Sequence, residues 1–289
     1  MPLLVWVMLF AAFGGIASAA FAVVLLWLPE ERTLRLLPHL VSFATGALLG
    51  AALLALLPEA IEGAGRDSAR ALGLTLVLGL GFFFIVEKLV LWWHAHAHDE
   101  ESASVPARHQ HEHAATHGSH AGHRHDSHGH ARGAPDAARD RASGVLVLVG
   151  DSIHNSLDGV LIAAAFLTSI PLGLVTTLAV AAHEIPHRVG DFAILVHAGL
   201  SRPRALLLNL ATGIASVLGA VVAYYGLRRA TGALPYALAF AAAGFLYIAV
   251  AGLIPGLHRR SDPRTSVTQV ILISLGIAVI AVAERLSGV

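Results

Sequence analysis

Two stretches decide how this chain is read: SGVLVLVGDSIHNSLDGVLIAAAFLT over residues 143–168 and PLGLVTTLAVAAHEIPHRVGDFAILVHAG over 171–199. Each is long and apolar enough to cross a bilayer as a helix, which takes about 20 residues. Yet each carries polar and ionisable groups at its middle. The first holds Asp151, His154, Asn155 and Asp158; the second holds His183, Glu184, His187, Arg188 and Asp191. Such groups are costly at membrane depth, so they mark function by default. Residues i and i+4 share a helix face, which stacks His154 with Asp158 and His183 with His187. The two ladders together offer three imidazoles and a carboxylate, a workable four-coordinate zinc set. Asn155 and Glu184 sit one residue round and could open a second, more oxygen-rich position. Asp151 and Asp191 extend the faces as outer-shell partners or stepping stones.

The charge balance points the same way. Four carboxylates against one arginine leave a formal −3 on these two helices when the imidazoles are neutral, which a divalent cation would offset. Pro186 has no N–H, so the carbonyl of Ala182 loses its helical partner. Freed carbonyls at such breaks line ion sites in transporters. The plainer alternative is that these groups only satisfy one another in helix packing.

The rest of the chain fits a membrane setting. Of 289 residues, 56% are hydrophobic and 13% charged, against about a quarter charged in soluble domains. Eight apolar segments are readable: 3–28, 39–60, 70–92, 143–168, 171–199, 204–227, 234–256 and 266–286. The expected fold is therefore an all-α polytopic membrane protein with eight transmembrane helices. The first segment follows Pro2 with no basic stretch before it, so it is read as a span rather than a signal peptide. Between the fourth and fifth, Thr168-Ser169-Ile170-Pro171 is a tight connection, with Pro171 suited to a helix start. The absence of cysteine excludes disulfides and thiolate metal sites. Zero net charge argues against nucleic acid.

Placing both termini outside puts 13 of the 19 basic residues on the inner side, as the positive-inside rule requires. A single lysine, Lys88, among the basic residues hints at a bacterial inner membrane. Phe43–Pro58 and Phe240–Pro255 align without gaps and match at six positions, and an odd number of crossings separates them. That is the pattern of an inverted repeat. The chain divides into 1–92 with three helices, a loop at 93–142 read as disordered and cytoplasmic, and 143–289 with five helices. The loop holds His94, His96, His98, His109, His111, His113, His117, His120, His123, His125, His128 and His130. Imidazole suits zinc, copper and nickel, so the loop reads as metal capture or sensing; a merely soluble linker is the alternative.

His183-Glu184-Ile185-Pro186-His187 is formally H-E-x-x-H, the metalloprotease pattern, and Leu157-Asp158-Gly159 resembles an intramembrane-protease ligand motif. Here the Asp precedes the His pair and a proline interrupts it, both against a protease. Instead, H-N-S-L-D-G followed by H-E-I-P-H-R-V-G-D-F-A-I-L resembles the ZIP (Zrt/Irt-like) metal transporters. A-T-G-A-L-L-G-A-A-L-L-A-L-L-P-E-A-I-E and A-G-F-L-Y-I-A-V-A-G-L-I-P are similar to that family's second and seventh helices.

The resemblance implies a 3+2+3 helix arrangement, no enzymatic activity, and import of Zn²⁺ towards the cytoplasm, with Fe²⁺, Mn²⁺ and Cd²⁺ as alternatives. It implies His154, Asp158, His183 and His187 as the main site, and Asn155 with Glu184 as the neighbouring one. Glu59 and Glu62 fall on the metal route or on a solvated helix end. The partners implied are the metal ion, the lipid bilayer and a second copy in a homodimer; no organic cofactor is implied. This chain departs from the family in having Arg188 in place of a Glu, Ala51, Ala55 and Gly252 in place of polar residues, and no carboxylate in helix six. Arg188 is left to pair with Asp191 or Glu184, or to screen the pathway. A cation-efflux transporter also uses His-x-x-x-Asp, but with six spans and no H-E-x-P-H. No Walker motif is present.

Overall fold

The computed structural model describes residues 2–65, 68–102, 134–259 and 262–287, and the described residues are helical rods and short connections. The rods are α1 (Leu3–Leu26), α2 (Glu31–Ala64), α3 (Ala69–Ser102), α4 (Ala134–Thr168), α5 (Ile170–His197), α6 (Arg202–Leu227), α7 (Thr231–His258) and α8 (Pro263–Ser287). Seven are long and apolar enough to cross a membrane. The eighth, α5, has the length, but His183, Glu184 and His187 lower its hydropathy. The chain is thus an all-α polytopic membrane protein.

Helices α3 and α4 run beyond their apolar segments into the histidine-rich region. The stretch after Trp93 is rich in Ala and Glu with no Gly or Pro before Pro106, so nothing stops the helix until past Ser102. His94, His96 and His98 therefore lie on helical backbone. His109 through His130 lie outside the described residues.

Helix α4 packs on α5 and most extensively on α6, while α1 lies against α5 and α6. Helix α2 packs on α8, and α7 packs on α3 and α2. The two sets meet where α2 runs along α5 and α7 along α4. Small residues permit these close approaches, as is common between membrane helices. A Cβ on Gly159 would lie far inside van der Waals contact with the Ser216 carbonyl oxygen, and one on Gly219 far inside contact with that of Ser156, so α4 and α6 touch backbone to backbone. Outward faces remain apolar, as at Leu74, Val77 and Leu78 of α3 and Val267, Val270 and Ile271 of α8.

Three helices carry a π turn: Phe13–Ala17 in α1, Ala51–Leu56 in α2 and Ile248–Leu253 in α7. The last two fall at matching places in the aligned segments Phe43–Pro58 and Phe240–Pro255, each ending two residues before a proline. Pro58 and Pro255 cannot donate to the carbonyl four residues back, and the widened turn takes up the mismatch. The sequence echo is therefore also an echo in backbone geometry.

Candidate metal centre

Helices α4 and α5 are joined by one non-helical residue. Ser169 is extended (φ −155°, ψ 153°), and its hydroxyl accepts the Leu172 N–H at 3.2 Å, with Pro171 in the first turn. Such a cap starts α5 at once and lays it antiparallel to α4. The two polar stretches then face each other at the same depth.

Four side chains converge there. His154 Nε2 lies 3.2 Å from His183 Nε2, 3.7 Å from Asp158 Oδ2 and 3.4 Å from Glu184 Oε1. His183 Nε2 lies 3.5 Å from Asp158 Oδ2 and 3.9 Å from Glu184 Oε1. A tetrahedral zinc ion with bonds of about 2.0–2.2 Å spaces its ligand atoms roughly 3.3–3.6 Å apart. The spacing fits that donor set. Asp158 Oδ2 and Glu184 Oε1 are buried and accept no hydrogen bond, an arrangement that is costly for a carboxylate unless something positive joins it. His183 Nδ1 sits 3.2 Å from the Ala179 carbonyl. A carbonyl only accepts, so Nδ1 carries the proton and Nε2 presents its lone pair to the other three atoms.

His187 lies elsewhere. Its Nδ1 is 2.9 Å from Asp191 Oδ2 and 3.8 Å from Asp151 Oδ1, forming a second group of three ligand atoms. Its ring stacks on His154 with centroids 5.2 Å apart. Both rings are partly exposed while Asp158, His183 and Glu184 are buried, so the centre opens through His154 and His187. The structure thus puts Glu184 where the sequence ladders suggest His187, and puts His187 with the two aspartates. Pro186, between them, interrupts the regular helical bonding that the ladder reading assumes.

Arg188 is fully buried on the other side of Glu184. Its Nε is 2.9 Å from Glu184 Oε2. One terminal nitrogen donates to Asp151 Oδ2 at 3.0 Å, to the Asn209 carbonyl at 2.6 Å, to Asn209 Oδ1 at 3.1 Å and to Thr212 Oγ1. The other donates to Asn155 Oδ1 at 2.6 Å and faces the Gly15 carbonyl at 3.5 Å. Asn155 is aimed by its own amide, which donates to Asp151 Oδ1 and the Asp151 carbonyl, each at 2.8 Å. Asn155 therefore faces Arg188 and not the four converging atoms. Arg188 pairs with Glu184 and Asp151, not with Asp191.

Nothing in the sequence marks Asn209 and Thr212, because neutral residues in an apolar helix carry no charge signal. The hint was an arginine facing a sixth helix that has no carboxylate of its own. Glu59 is half-buried and Glu62 exposed at the end of α2, and neither joins either group of ligand atoms. Glu184 has one oxygen among the four converging atoms and the other on Arg188, leaving none to activate water as a metalloprotease requires.

Known proteins are similar to this chain along most of its sequence. The profile of the family described as ZIP zinc transporter matches residues 3–284. Human zinc transporter ZIP13 is 35% identical over 263 residues, covering 84% of this chain and 69% of its own length. The zebrafish zinc transporter ZIP13 is 34% identical over 273 residues, covering 88% of this chain and 78% of its own. The zinc transporter ZIP13 homolog of Drosophila melanogaster is 34% identical over 281 residues, covering 87% and 78%. With a family match along nearly its whole length, and with the paired α4–α5 motifs folded onto one centre, the chain belongs to the ZIP family.

Proposed function

We propose that this chain carries divalent transition-metal ions, zinc foremost, across the bilayer towards the cytoplasm, and that His154, Asp158, His183 and Glu184 hold the ion on its way. The observation that carries this reading is the pair of buried carboxylate oxygens without donors, Asp158 Oδ2 and Glu184 Oε1, set at coordination spacing from two imidazole nitrogens. The relatives are named zinc transporters, which supports the choice of metal. His187, Asp151 and Asp191 form a neighbouring station nearer the opening. Two imidazoles and two carboxylates make a looser set than the thiolate sites of structural zinc, which suits an ion that must be released. The distribution of basic residues supports both termini outside, which leaves the histidine-rich segment on the cytoplasmic side to take up arriving metal.

The test is uptake of Zn²⁺, Mn²⁺ and Fe²⁺ into proteoliposomes by the wild type and by His183→Ala. Flux in the wild type, led by Zn²⁺ and abolished in the variant, is the expected result. Absence of wild-type flux with tight metal binding retained would overturn the transporter reading.

A further inference from the structure

The oxygen atoms around Arg188 form a set that does not need an arginine. Asp151 Oδ2, Asn209 Oδ1, the Asn209 carbonyl and Thr212 Oγ1 surround one terminal nitrogen, Asn155 Oδ1 and the Gly15 carbonyl face the other, and Glu184 Oε2 faces Nε, so the oxygens ring the guanidinium. They come from α1, α4, α5 and α6. Six or more oxygens with two carboxylates among them is the donor set of a hard divalent cation. The guanidinium stands in its place.

We infer that Arg188 is a resident cation filling the second, oxygen-rich ion position of the centre, so that the two positions sharing Glu184 hold one metal ion between them. This rests on the reading that His154, Asp158, His183 and Glu184 bind the transported ion. Glu184 is the link between the two positions, with Oε1 among the converging atoms and Oε2 on the guanidinium. In a two-ion centre the same carboxylate would bridge two metals. Here one partner is covalently part of the chain and always protonated. It never leaves, its charge is +1 where a metal would bring +2, and it holds Glu184 in place before the substrate arrives. The repulsion felt by an incoming ion is accordingly smaller than a second metal would exert. The position also stays filled whatever the metal supply.

The experiment is anomalous diffraction from crystals of the full chain grown with Cd²⁺, for the wild type, Arg188→Glu and Arg188→Lys. For the wild type and for Arg188→Lys, one Cd²⁺ peak is expected between His154, Asp158, His183 and Glu184, with the side chain at 188 among the oxygens. For Arg188→Glu, a second peak is expected between Glu184, Asn155 and Asn209, raising the count at these two positions from one to two. A wild-type peak inside the oxygen set, with Arg188 swung out, overturns the inference. So does Arg188→Glu with the oxygen set still vacant of Cd²⁺. Absence of Cd²⁺ from the imidazole-lined position in the wild type instead removes the underlying reading. If Arg188→Glu does not fold, the wild-type and Arg188→Lys maps still decide.

Discussion

Two polar regions lie side by side on α4 and α5, sharing Glu184, and they differ in chemistry: one gathers oxygens around a guanidinium, the other sets imidazole nitrogens against carboxylate oxygens. Around Arg188 the guanidinium meets carboxylate, amide, hydroxyl and carbonyl oxygens from four helices. Around His154 and His183 the two ring nitrogens lie 3.2 Å apart, one donating to the other, and two buried carboxylate oxygens, Asp158 Oδ2 and Glu184 Oε1, are left without hydrogen bonds. Buried polar atoms are rarely left so. A cation built into the chain ties its helices together at all times; imidazole nitrogens and buried carboxylate oxygens at coordination spacing suit a guest cation. The contrast separates the part of this centre held by the chain's own arginine from the part proposed to bind metal.

Variants can break that contrast from either side. Removing the satisfied cation should do most damage. Arg188→Met leaves Glu184 and Asp151 buried without their partner, and losing one member of a buried pair costs about 3–5 kcal/mol. A large drop in the melting temperature of the detergent-solubilised protein is expected, with Arg188→Lys recovering part of it. Next is the backbone contact that brings α6 to Arg188. Gly219→Leu must push α6 away from Ser156, and overpacking of this kind costs about 1–3 kcal/mol. It should lower the melting temperature without abolishing metal binding. The binding side is sharpened by His187. Because His187 groups with Asp151 and Asp191, His187→Ala should weaken Zn²⁺ by about 10–100-fold, as loss of an outer partner does. His183→Ala should cost more than that by equilibrium dialysis, and an equal loss in both would place His187 among the primary ligands.

The smallest effect is expected at an exposed polar group, where water replaces any lost partner. Asp262 accepts the Thr265 N–H at 2.9 Å before α8, and hydrogen bonding from Thr265 holds its carboxyl below the usual carboxylate range. A depressed folded value stabilises above the ordinary carboxylate pKa of about 3.9 and is lost as pH falls through the lowered one. Asp262→Ala should therefore shift the melting temperature slightly at neutral pH and not at all at strongly acid pH.

Much of this was legible in the residues. The apolar runs located the helices, and the placement of Asp151, His154, Asp158, His183 and His187 identified the two helices that carry the centre. Periodicity could not say which of Glu184 and His187 turns towards His154, because adjacent phases of a helix differ by about 100° and Pro186 lies between them. Nor could it place Asn209 and Thr212 on α6, whose role depends on a partner far away in sequence. The π turns in α2 and α7 were hidden for a different reason. They answer to a proline several residues on, at Pro58 and Pro255, while local propensity around them is ordinary for a helix.

The one-residue connection at Ser169 turns the α4–α5 hairpin into a ruler. Counting outward from it, His154 lies 15 residues back and His183 lies 14 residues on, which at 1.5 Å per residue puts both about 21–23 Å from the turn. The depth of the centre is thus stored as a residue count on two arms with a common zero. Adding one residue to either arm would slide its ligands by about 1.5 Å and swing them by about 100°, so the tolerance of this hairpin to insertion should fall to nothing between Asp158 and His183.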